Sequence, residues 1–361
     1  MKHLLLTTIA AVVLVGCGNS ELDENLRHDA YLGDIEAVKK HLDEGARVNS
    51  ADSEFLTTAL HDAASQGHYK IAKILIDNGA ELNANDAEGM TPLDAAILVE
   101  RRKKLDSEIS DLLRSQGARS GVEKSMYAAA MLGDVQSIKK LINRGEDINK
   151  LTKTGKAPLH LTASYGHKRA TEYLLVSGAN INRKDDRGRS PLFSAVSNAH
   201  KEIVELIISN GADIKSEMGL LHQLSWVGYQ EREGRIKQSK IANTLILKGV
   251  NLNERAFAGE TPLHWAAKYG HREMTELLIQ TGANVDEFSV TKQTPLHKAA
   301  VEGRDIIVDI LIQNGANVNS VIKSTGSFNK MTPVDLALQM NNIKTADLLR
   351  KHGGKRSAEL K

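Results

Sequence analysis

The sequence predicts an all-α fold: a solenoid of stacked helix-turn-helix units joined by short β-hairpin loops. The first observation behind this prediction is a regular spacing of proline. The chain of 361 residues has six prolines, and they all occupy one recurring slot, at Pro92, Pro158, Pro191, Pro262, Pro295 and Pro333. The spacing is 33 residues from 158 to 191 and again from 262 to 295. A fixed period of this length indicates one supersecondary unit copied along the chain.

The second observation is the recurring sequence around those prolines, which predicts the start of a helix. Residues 261–267 read TPLHWAA and residues 294–300 read TPLHKAA. Threonine is a good N-cap because its hydroxyl accepts a hydrogen bond from an unpaired backbone N–H of the first turn. Proline suits the first helical position, where no N–H is needed. The leucine and paired alanines that follow give a narrow apolar stripe, which lets neighbouring helix pairs approach closely.

A turn, a second helix and a loop complete the unit. A Gly-His pair comes eight residues after the proline slot, as at Gly270-His271, and glycine there turns the chain between the two helices. The apolar residues within 274–279 predict the second helix. This helix ends before Gly282, which can take the left-handed conformation at the helix C-terminus. A polar, hairpin-like loop then leads to the next copy.

Together, the TPLHxAA, GH and GA[DN][VI][ND] patterns closely resemble the ankyrin-repeat family over about residues 24–355. Ten copies are expected, with proline slots at Asn25, Ala59, Pro92, Ser125, Pro158, Pro191, Leu220, Pro262, Pro295 and Pro333. The resemblance implies that five slot histidines hydrogen-bond the loop to the helix start: His61, His160, His222, His264 and His297. Four more occupy the turn slot: His68, His167, His200 and His271. Nine of the 13 histidines are therefore structural by position.

Two irregular spacings interrupt the period. In the copy at Pro92, an insertion near residues 100–104 places the closing glycine, Gly117, five residues later than in most copies. The next slot, Ser125, follows Gly117 at a distance five residues shorter than usual, so the two changes cancel. These changes predict two stacked modules, 24–119 and 120–355, and a single continuous solenoid is the alternative. The copy at Leu220 has an additional polar stretch over 230–238, which predicts a protruding loop or a lengthened helix end. Residues 356–361 are expected to form a charged tail.

The N-terminus predicts a targeting signal over residues 1–16. A short basic start precedes a 12-residue, largely apolar run over 4–15, too short to span a bilayer and typical of a signal-peptide core. The run ends in Leu-Val-Gly-Cys at Cys17, which resembles the lipobox of bacterial lipoproteins. That resemblance implies cleavage before Cys17, lipidation of its thiol, and a short tether over 17–23. An ordinary secretory signal is the alternative.

The lipobox resemblance also implies a location. The protein is expected to be lipid-anchored in a bacterial membrane, and two or three acyl chains make a stable anchor. Gly18 follows the lipidated cysteine where an aspartate would signal retention, so the outer membrane is expected, with the repeats facing the periplasm. Cys17 is the only cysteine, so no disulfide is expected.

Composition and motifs argue against several function classes. The formal net charge is +2, with no basic footprint of the kind that nucleic-acid binding needs. The chain has no HExxH, GxSxG, GxxxxGK[ST] or paired CxxC motif, so we expect no catalytic residue, metal, cofactor or small-molecule substrate. The basic run at 101–104 is interpreted as a solvated insertion, with an anionic-lipid or polyanion contact as the alternative. The acidic pair Asp185-Asp186 is expected to be solvated at a hairpin tip.

The remaining candidate is a protein-binding surface. Ankyrin-repeat proteins bind partners through their hairpin tips and the outward positions that end each first helix. Those positions hold unusual aromatic and basic side chains here, and Phe257 lies in a hairpin, so the predicted surface is Tyr165, Trp226, Val227, Phe257, Lys268 and Tyr269. Trp and Tyr dominate binding hot spots. The alternative is that hairpin phenylalanines pack on neighbouring hairpins and that Trp265 is core.

The sequence thus predicts a membrane-anchored, non-enzymatic repeat lipoprotein that binds an unidentified protein at the bacterial cell envelope, as a scaffold or stabiliser. A periplasmic inhibitor or immunity protein that neutralises a toxin or enzyme is the alternative. A hydrolase is a more distant alternative, since no catalytic constellation supports it.

Overall fold

The computed structural model describes residues 20–226, 232–323 and 328–360. The chain divides into two units, Met1–Asn180 and Ile181–Lys361. Over the described ranges the structure is almost entirely helical, and its helices come in ten pairs, so the predicted all-α class is confirmed. The predicted signal peptide, Cys17 and Val227 lie outside these ranges. None of the helices within them is long and apolar enough to cross a membrane.

The first unit contains five helix pairs. In chain order the helices are α1 (20–32), α2 (Ile35–Asp43), α3 (Ala59–Gln66), α4 (Tyr69–Asp77), α5 (Pro92–Lys103), α6 (Glu108–Ser115), α7 (Met126–Leu132), α8 (Val135–Asn143), α9 (Pro158–Tyr165) and α10 (Lys168–Val176). The first helix of one pair packs on the first helix of the next, as α3 packs on α5 and α7 on α9.

The second unit contains the other five pairs. Its helices are α11 (Pro191–Ser197), α12 (Lys201–Ser209), α13 (Leu220–Ser225), α14 (Arg232–Leu247), α15 (Pro262–Tyr269), α16 (Arg272–Gln280), α17 (Pro295–Val301), α18 (Asp305–Gln313), α19 (Pro333–Gln339) and α20 (Ile343–Lys351). Two single turns of 3₁₀ helix lie at Phe257–Gly259 and Ser357–Glu359. As in the first unit, first helices pack on first helices, for example α15 on α17.

The described core of the first unit includes two large buried apolar clusters and a small third one of Tyr127, Ala130 and Leu161. One large cluster extends from Leu26 to Leu113 and the other from Met90 to Ala179. The change from one large cluster to the other falls near the irregular spacing around residue 119. The predicted boundary at 119/120 itself lies inside the first unit. The module bounds therefore stay a prediction.

The helix starts follow the predicted chemistry, with two differences. Thr261 and Thr294 are extended N-caps, and proline fills the first helical position after each. Ser125 was assigned to the proline slot, but its hydroxyl accepts from the backbone N–H of Ala128, so it is the N-cap and the helix begins one residue later. Asn25 lies within α1, because the first copy begins its helix earlier.

Both inserted segments lengthen helices. The run at residues 100–104 extends α5 to 12 residues, and the helix ends at Lys104 in the left-handed conformation. From Arg232 onward, the additional polar stretch forms the start of α14, which has 16 residues. Of the two predictions for this stretch, the lengthened helix is therefore confirmed there and the protruding loop is not. Within α14, Gln238 is buried and its side-chain oxygen lies 3.1 Å from Nε2 of His271.

The loops close like short hairpins through backbone hydrogen bonds, such as Asp86 N–H to Met90 O at 2.9 Å and Asp185 N–H to Arg189 O at 2.9 Å. The expectation that Asp185 is solvated is wrong, since its side chain is 2% exposed. Its carboxylate accepts from the backbone N–H groups of Arg187 and Arg189, both at 2.9 Å, and these bonds lower its pKa despite burial.

Asparagine side chains connect the loops of successive copies. Asn49 accepts a hydrogen bond from the N–H of Glu81 at 2.7 Å and donates to Gly79 O at 3.1 Å. Asn149 in the first unit and Asn253 in the second accept in the same way from a backbone N–H 31 residues further along. These residues are the last position of the GA[DN][VI][ND] pattern.

The third copy carries an aspartate, Asp94, in the slot of the histidine. Its Oδ2 accepts hydrogen bonds from the backbone N–H of Thr91 at 2.9 Å and of Gly121 at 2.7 Å. The Thr91 hydroxyl donates to Arg119 O at 2.9 Å. Gly121 is required at this close approach, since a Cβ there would lie 2.1 Å from the carbonyl oxygen of Gly89.

The tenth copy has the same arrangement around Asp335. Its Oδ2 accepts from the backbone N–H of Thr332 at 3.1 Å and of Ser357 at 2.8 Å, and the Thr332 hydroxyl donates to Lys355 O at 2.7 Å. Arg356 Nε donates to Asp335 Oδ1 at 3.1 Å. The first residues of the predicted charged tail are thus packed against the last helix pair.

Candidate protein-interaction surfaces

The structure distributes the predicted surface over two units. Tyr165 ends α9 in the first unit. Trp226, Phe257, Lys268 and Tyr269 belong to the second unit. Each unit therefore presents its own candidate surface.

The second unit contains an aromatic cluster built on α13 and α15. The ring of Trp265 lies edge-on to the rings of His222 and Tyr269, with centroids 5.5 Å and 6.1 Å apart. Nζ of Lys268 is 5.3 Å from the centroid of the Tyr269 ring, which is within the range of a cation–π interaction. The ring of Tyr269 therefore lies near both Lys268 and Trp265, and Trp265 is only partly buried.

Trp226 and Phe257 are the most exposed members of the predicted surface. Trp226 follows α13 directly, its backbone N–H donates to His222 O at 3.0 Å, and it is 49% exposed. Phe257 lies in the 3₁₀ turn at a hairpin tip and is 86% exposed. Exposed aromatic side chains of this size are typical of sites where another molecule binds.

Arg255 joins two neighbouring hairpin tips in this unit. Its guanidinium donates to Phe288 O at 2.8 Å and pairs with the carboxylate of Glu287. Between the same tips, the Val290 N–H donates to Ala258 O at 2.9 Å. The phenylalanine at position 257 therefore projects from a tip that is held by backbone contacts, and it does not pack into a neighbouring hairpin.

In the first unit, Tyr165 borders a pocket of about 270 Å³ between α3 and α5. The pocket combines polar groups near α3 with apolar walls, and its lining includes Asp62, Ser65, Gln66, Asp86, Met90, Leu98, Val99, Arg102, Met131 and Tyr165. Tyr165 is 40% exposed, and burial of its hydroxyl end raises its pKa.

Asp62 is the most perturbed carboxyl group of this pocket. Burial raises the pKa of Asp62 to about 7, a shift that nearby Arg27 opposes and Asp52 reinforces. Burial also raises the pKa of Asp86. The pocket therefore holds carboxyl groups that have lost much of their water.

The predicted surface does not include Asp62 or Trp265, although both occupy one position of the repeat. Each follows the slot histidine and precedes the paired alanines. Lys298 holds the same position in the next copy, where it pairs with the carboxylate of Glu260. The residue type at this position varies from copy to copy.

Two slot histidines, His61 and His264, make both of the hydrogen bonds that the resemblance implied. In the eighth copy, His264 Nδ1 accepts from the Thr261 N–H at 3.2 Å, and Nε2 lies 3.0 Å from Gln293 O in the next loop. His61 bridges in the same way to Met90 O at 3.2 Å. Burial lowers the pKa of His264 to about 4 and lowers that of His61, so both rings are neutral at pH 7.

Metal binding finds no support in the part of the chain that the structure describes. Within those residues, no group of three or more histidine, cysteine, aspartate or glutamate side chains is placed to hold a metal ion.

Comparisons with known proteins agree on the repeat. The family model for ankyrin repeats matches residues 26–119, 125–218 and 235–322, which together are more than half of the chain. The potassium channel SKOR of Arabidopsis thaliana is 38% identical over 68 residues, which make up 19% of this chain and 8% of the channel. The chain thus spans less than a tenth of that relative's length.

A solved structure is similar in fold. The crystal structure of the human ASB11 ankyrin repeat domain matches with a TM-score of 0.54 and 24% sequence identity. The match covers 66% of this chain and 99% of that domain. At this level of identity, the likeness concerns the fold alone.

Proposed function

The chain belongs to the ankyrin-repeat family, and we propose that it is a membrane-anchored lipoprotein that binds a protein partner at the bacterial cell envelope, as a scaffold or stabiliser. Ankyrin repeats imply a role in protein–protein interaction, and this fold is typically a non-enzymatic interaction scaffold. The identity of the partner as an envelope protein, the lipid anchor and the location at the cell envelope are the elements that we propose beyond this general role.

The aromatic cluster of His222, Trp265 and Tyr269, together with the exposed Trp226 that follows α13, is the observation that carries the binding role. Trp226 is half exposed, and its backbone N–H donates to the carbonyl oxygen of His222. The Nζ atom of Lys268 lies over the ring of Tyr269. Aromatic side chains with an adjacent cation offer a large contact area at a low cost in conformational entropy.

The sequence of residues 1–23 supports the anchor. The apolar run over 4–15 and the lipobox-like residues that end at Cys17 suit export and lipidation. Residues 20–23 of the predicted tether belong to α1, so at most two residues separate Cys17 from the first helix, and the repeats would be held close to the membrane. Gly18 supports the outer membrane, with the repeats in the periplasm.

The binding role is tested by partner capture from detergent-solubilised, cross-linked envelopes. We expect Trp226→Ala combined with Tyr269→Ala to reduce recovery of the partner at least about tenfold, because a hot-spot aromatic contributes about 2 kcal/mol or more. Tyr31→Ala is the matched control, since Tyr31 is also 49% exposed but lies in the first unit. Circular dichroism verifies that each variant is folded.

Recovery of every partner at wild-type strength by the double variant would contradict the proposed binding surface. An equal loss with Tyr31→Ala would show that the effect is not specific. The captured partner also separates the scaffold from the inhibitor. Suppression of a partner's toxic or enzymatic activity by the purified protein would favour the periplasmic inhibitor or immunity protein.

A further inference from the structure

The pocket of the first unit has the size and lining to hold one long side chain. It is bounded by Leu98 and Val99 of α5, Met131 of α7 and Tyr165 of α9. Its volume of about 270 Å³ is just below the range of pockets for drug-sized ligands, which begins at about 300 Å³. A single extended side chain with an apolar stem matches this space better than a small-molecule substrate.

Within the described part of the chain, the Asp62 carboxylate of the pocket lining feels the charge of Arg27 but has no donor at bonding distance. Its side chain is only partly exposed. A partly desolvated carboxylate gains most from a cation that brings its own N–H donors, since such bonds are about twice as strong as neutral ones. The free carboxylate therefore sets the charge of the ligand.

The rest of the lining agrees with a cationic ligand. Asp86 adds a second carboxylate, whereas the one cationic lining residue, Arg102, has an exposed side chain that water can solvate. The ring of Tyr165 offers a face on which a cation can rest. Leu98 and Met131 offer apolar surface to the methylene groups of a long basic side chain.

We propose that this pocket binds an arginine side chain of the partner protein, with the guanidinium on the Asp62 carboxylate and the methylene stem against Leu98 and Met131. The inference rests on the proposed protein-binding function and specifies the chemistry of one contact. Arginine fits better than lysine, because a planar guanidinium can bind a carboxylate through two N–H groups and stack on Tyr165 at the same time.

Methionine methyl groups allow a direct test with the full chain. Two of the eight methionines, Met90 and Met131, line the pocket, and Met218 of the second unit is exposed and serves as an internal reference. The protein is labelled with methyl-¹³C methionine and titrated with the peptide Ac-Leu-Arg-Leu-NH₂. We expect the methyl signals of Met90 and Met131 to shift with concentration while that of Met218 does not.

Matched peptides and variants identify the charge contact. The peptide Ac-Leu-Gln-Leu-NH₂ should bind at least about tenfold more weakly, in line with the strength of a charge-assisted hydrogen bond. Asp62→Asn keeps the shape of the side chain and should remove the difference between the two peptides. Asp111→Asn, at an exposed carboxylate on α6, should leave the difference unchanged.

Binding should also depend on pH. The charged and titratable groups around Asp62 are Arg27 of α1, Asp52 and Asp86 of the loops, His61 of α3, Arg102 of α5 and Tyr165 of α9. Because the pKa of Asp62 is about 7, its ionised fraction rises from about one tenth at about pH 6 to about nine tenths at about pH 8. Affinity for the arginine peptide should rise up to about tenfold over this interval.

Several outcomes would overturn the inference. They are equal binding of the arginine and glutamine peptides, stronger binding of Ac-Leu-Glu-Leu-NH₂, or retention of the arginine preference in Asp62→Asn. The proposed function is tested separately, since its variants lie in the second unit. Partner capture that still depends on Trp226 and Tyr269 would leave that function in place even if the pocket preferred no arginine.

Discussion

At the scale of single residues, the slot histidine is the most informative side chain. Since Nδ1 of His264 accepts from the Thr261 N–H, the proton resides on Nε2, which donates to Gln293 O. The ring thus joins its own helix start to the following loop only while it is neutral. The resemblance to ankyrin repeats implies this role from sequence alone, because the histidine stands at a fixed position after threonine and proline.

The buried histidines should make the protein sensitive to mild acid. The pKa values of His264, His271 and His297 are lowered by burial to about 4, whereas the ordinary value is 6.5. The unfolded chain therefore binds more protons between these values, and the stability that neutral rings contribute above pH 6.5 is lost as the pH falls toward 4.

Urea unfolding at about pH 7 and about pH 5 measures this effect. His264→Gln cannot become charged, so its free energy of unfolding should fall less over this interval than that of the wild type, by about 1–2 kcal/mol. His28→Gln, at an exposed position on α1, should show the wild-type pH dependence. Identical pH dependence in His264→Gln would mean that protonation of this ring does not control acid stability.

At the scale of elements, the asparagine contacts between loops hold successive copies in register. Asn49 makes two such bonds, to Glu81 N–H and Gly79 O. The sequence identified the pattern that contains this residue, but periodicity alone did not show that its side chain reaches the next copy. That contact depends on how closely two loops stack, a property of three-dimensional packing.

Asn49→Ala should lower the free energy of unfolding by about 1–3 kcal/mol, because two hydrogen bonds worth about 1 kcal/mol each are lost. Asn78→Ala is the comparison, since Asn78 bonds only to Ile74 O within its own copy, at 2.9 Å. Chemical denaturation measures both variants. A smaller loss for Asn49→Ala than for Asn78→Ala would show that the contact between copies adds no stability.

At the scale of the whole molecule, the sequence predicted the repeat, the helix pairs and most helix starts. It did not predict that Ser125 is the N-cap and that α7 begins one residue later, at Met126. The N-cap and the first helical residue are adjacent, and no proline marks the first helical position in this copy. Lys268 and Tyr269 could be proposed from sequence, since they are unusual residues at a fixed position, and their role in binding stays a prediction. Asp62 was not found, because its lost hydration depends on α1 and α5 packing around it.

The proposed membrane anchor concerns the whole molecule, and substitution of the Cys17 sulfur tests it. In a bacterial host, Cys17→Ser should move the protein from the membrane pellet to the soluble fraction, because the acyl chains that hold it have no thiol to attach to. Asn19→Ser keeps the cysteine and should stay in the pellet. Fractionation and mass spectrometry of the N-terminal peptide measure both results, and pelleting of Cys17→Ser would refute the lipid anchor.

The two aspartates in the histidine slot limit where the array can gain copies. A histidine donates from Nε2 to a carbonyl of the loop that follows, whereas the carboxylates of Asp94 and Asp335 only accept, and they are met by the N–H groups of Gly121 and Ser357. A standard copy placed directly after either one would present a carbonyl oxygen to a carboxylate. Duplication during evolution is therefore favoured upstream of each aspartate and opposed immediately downstream of it.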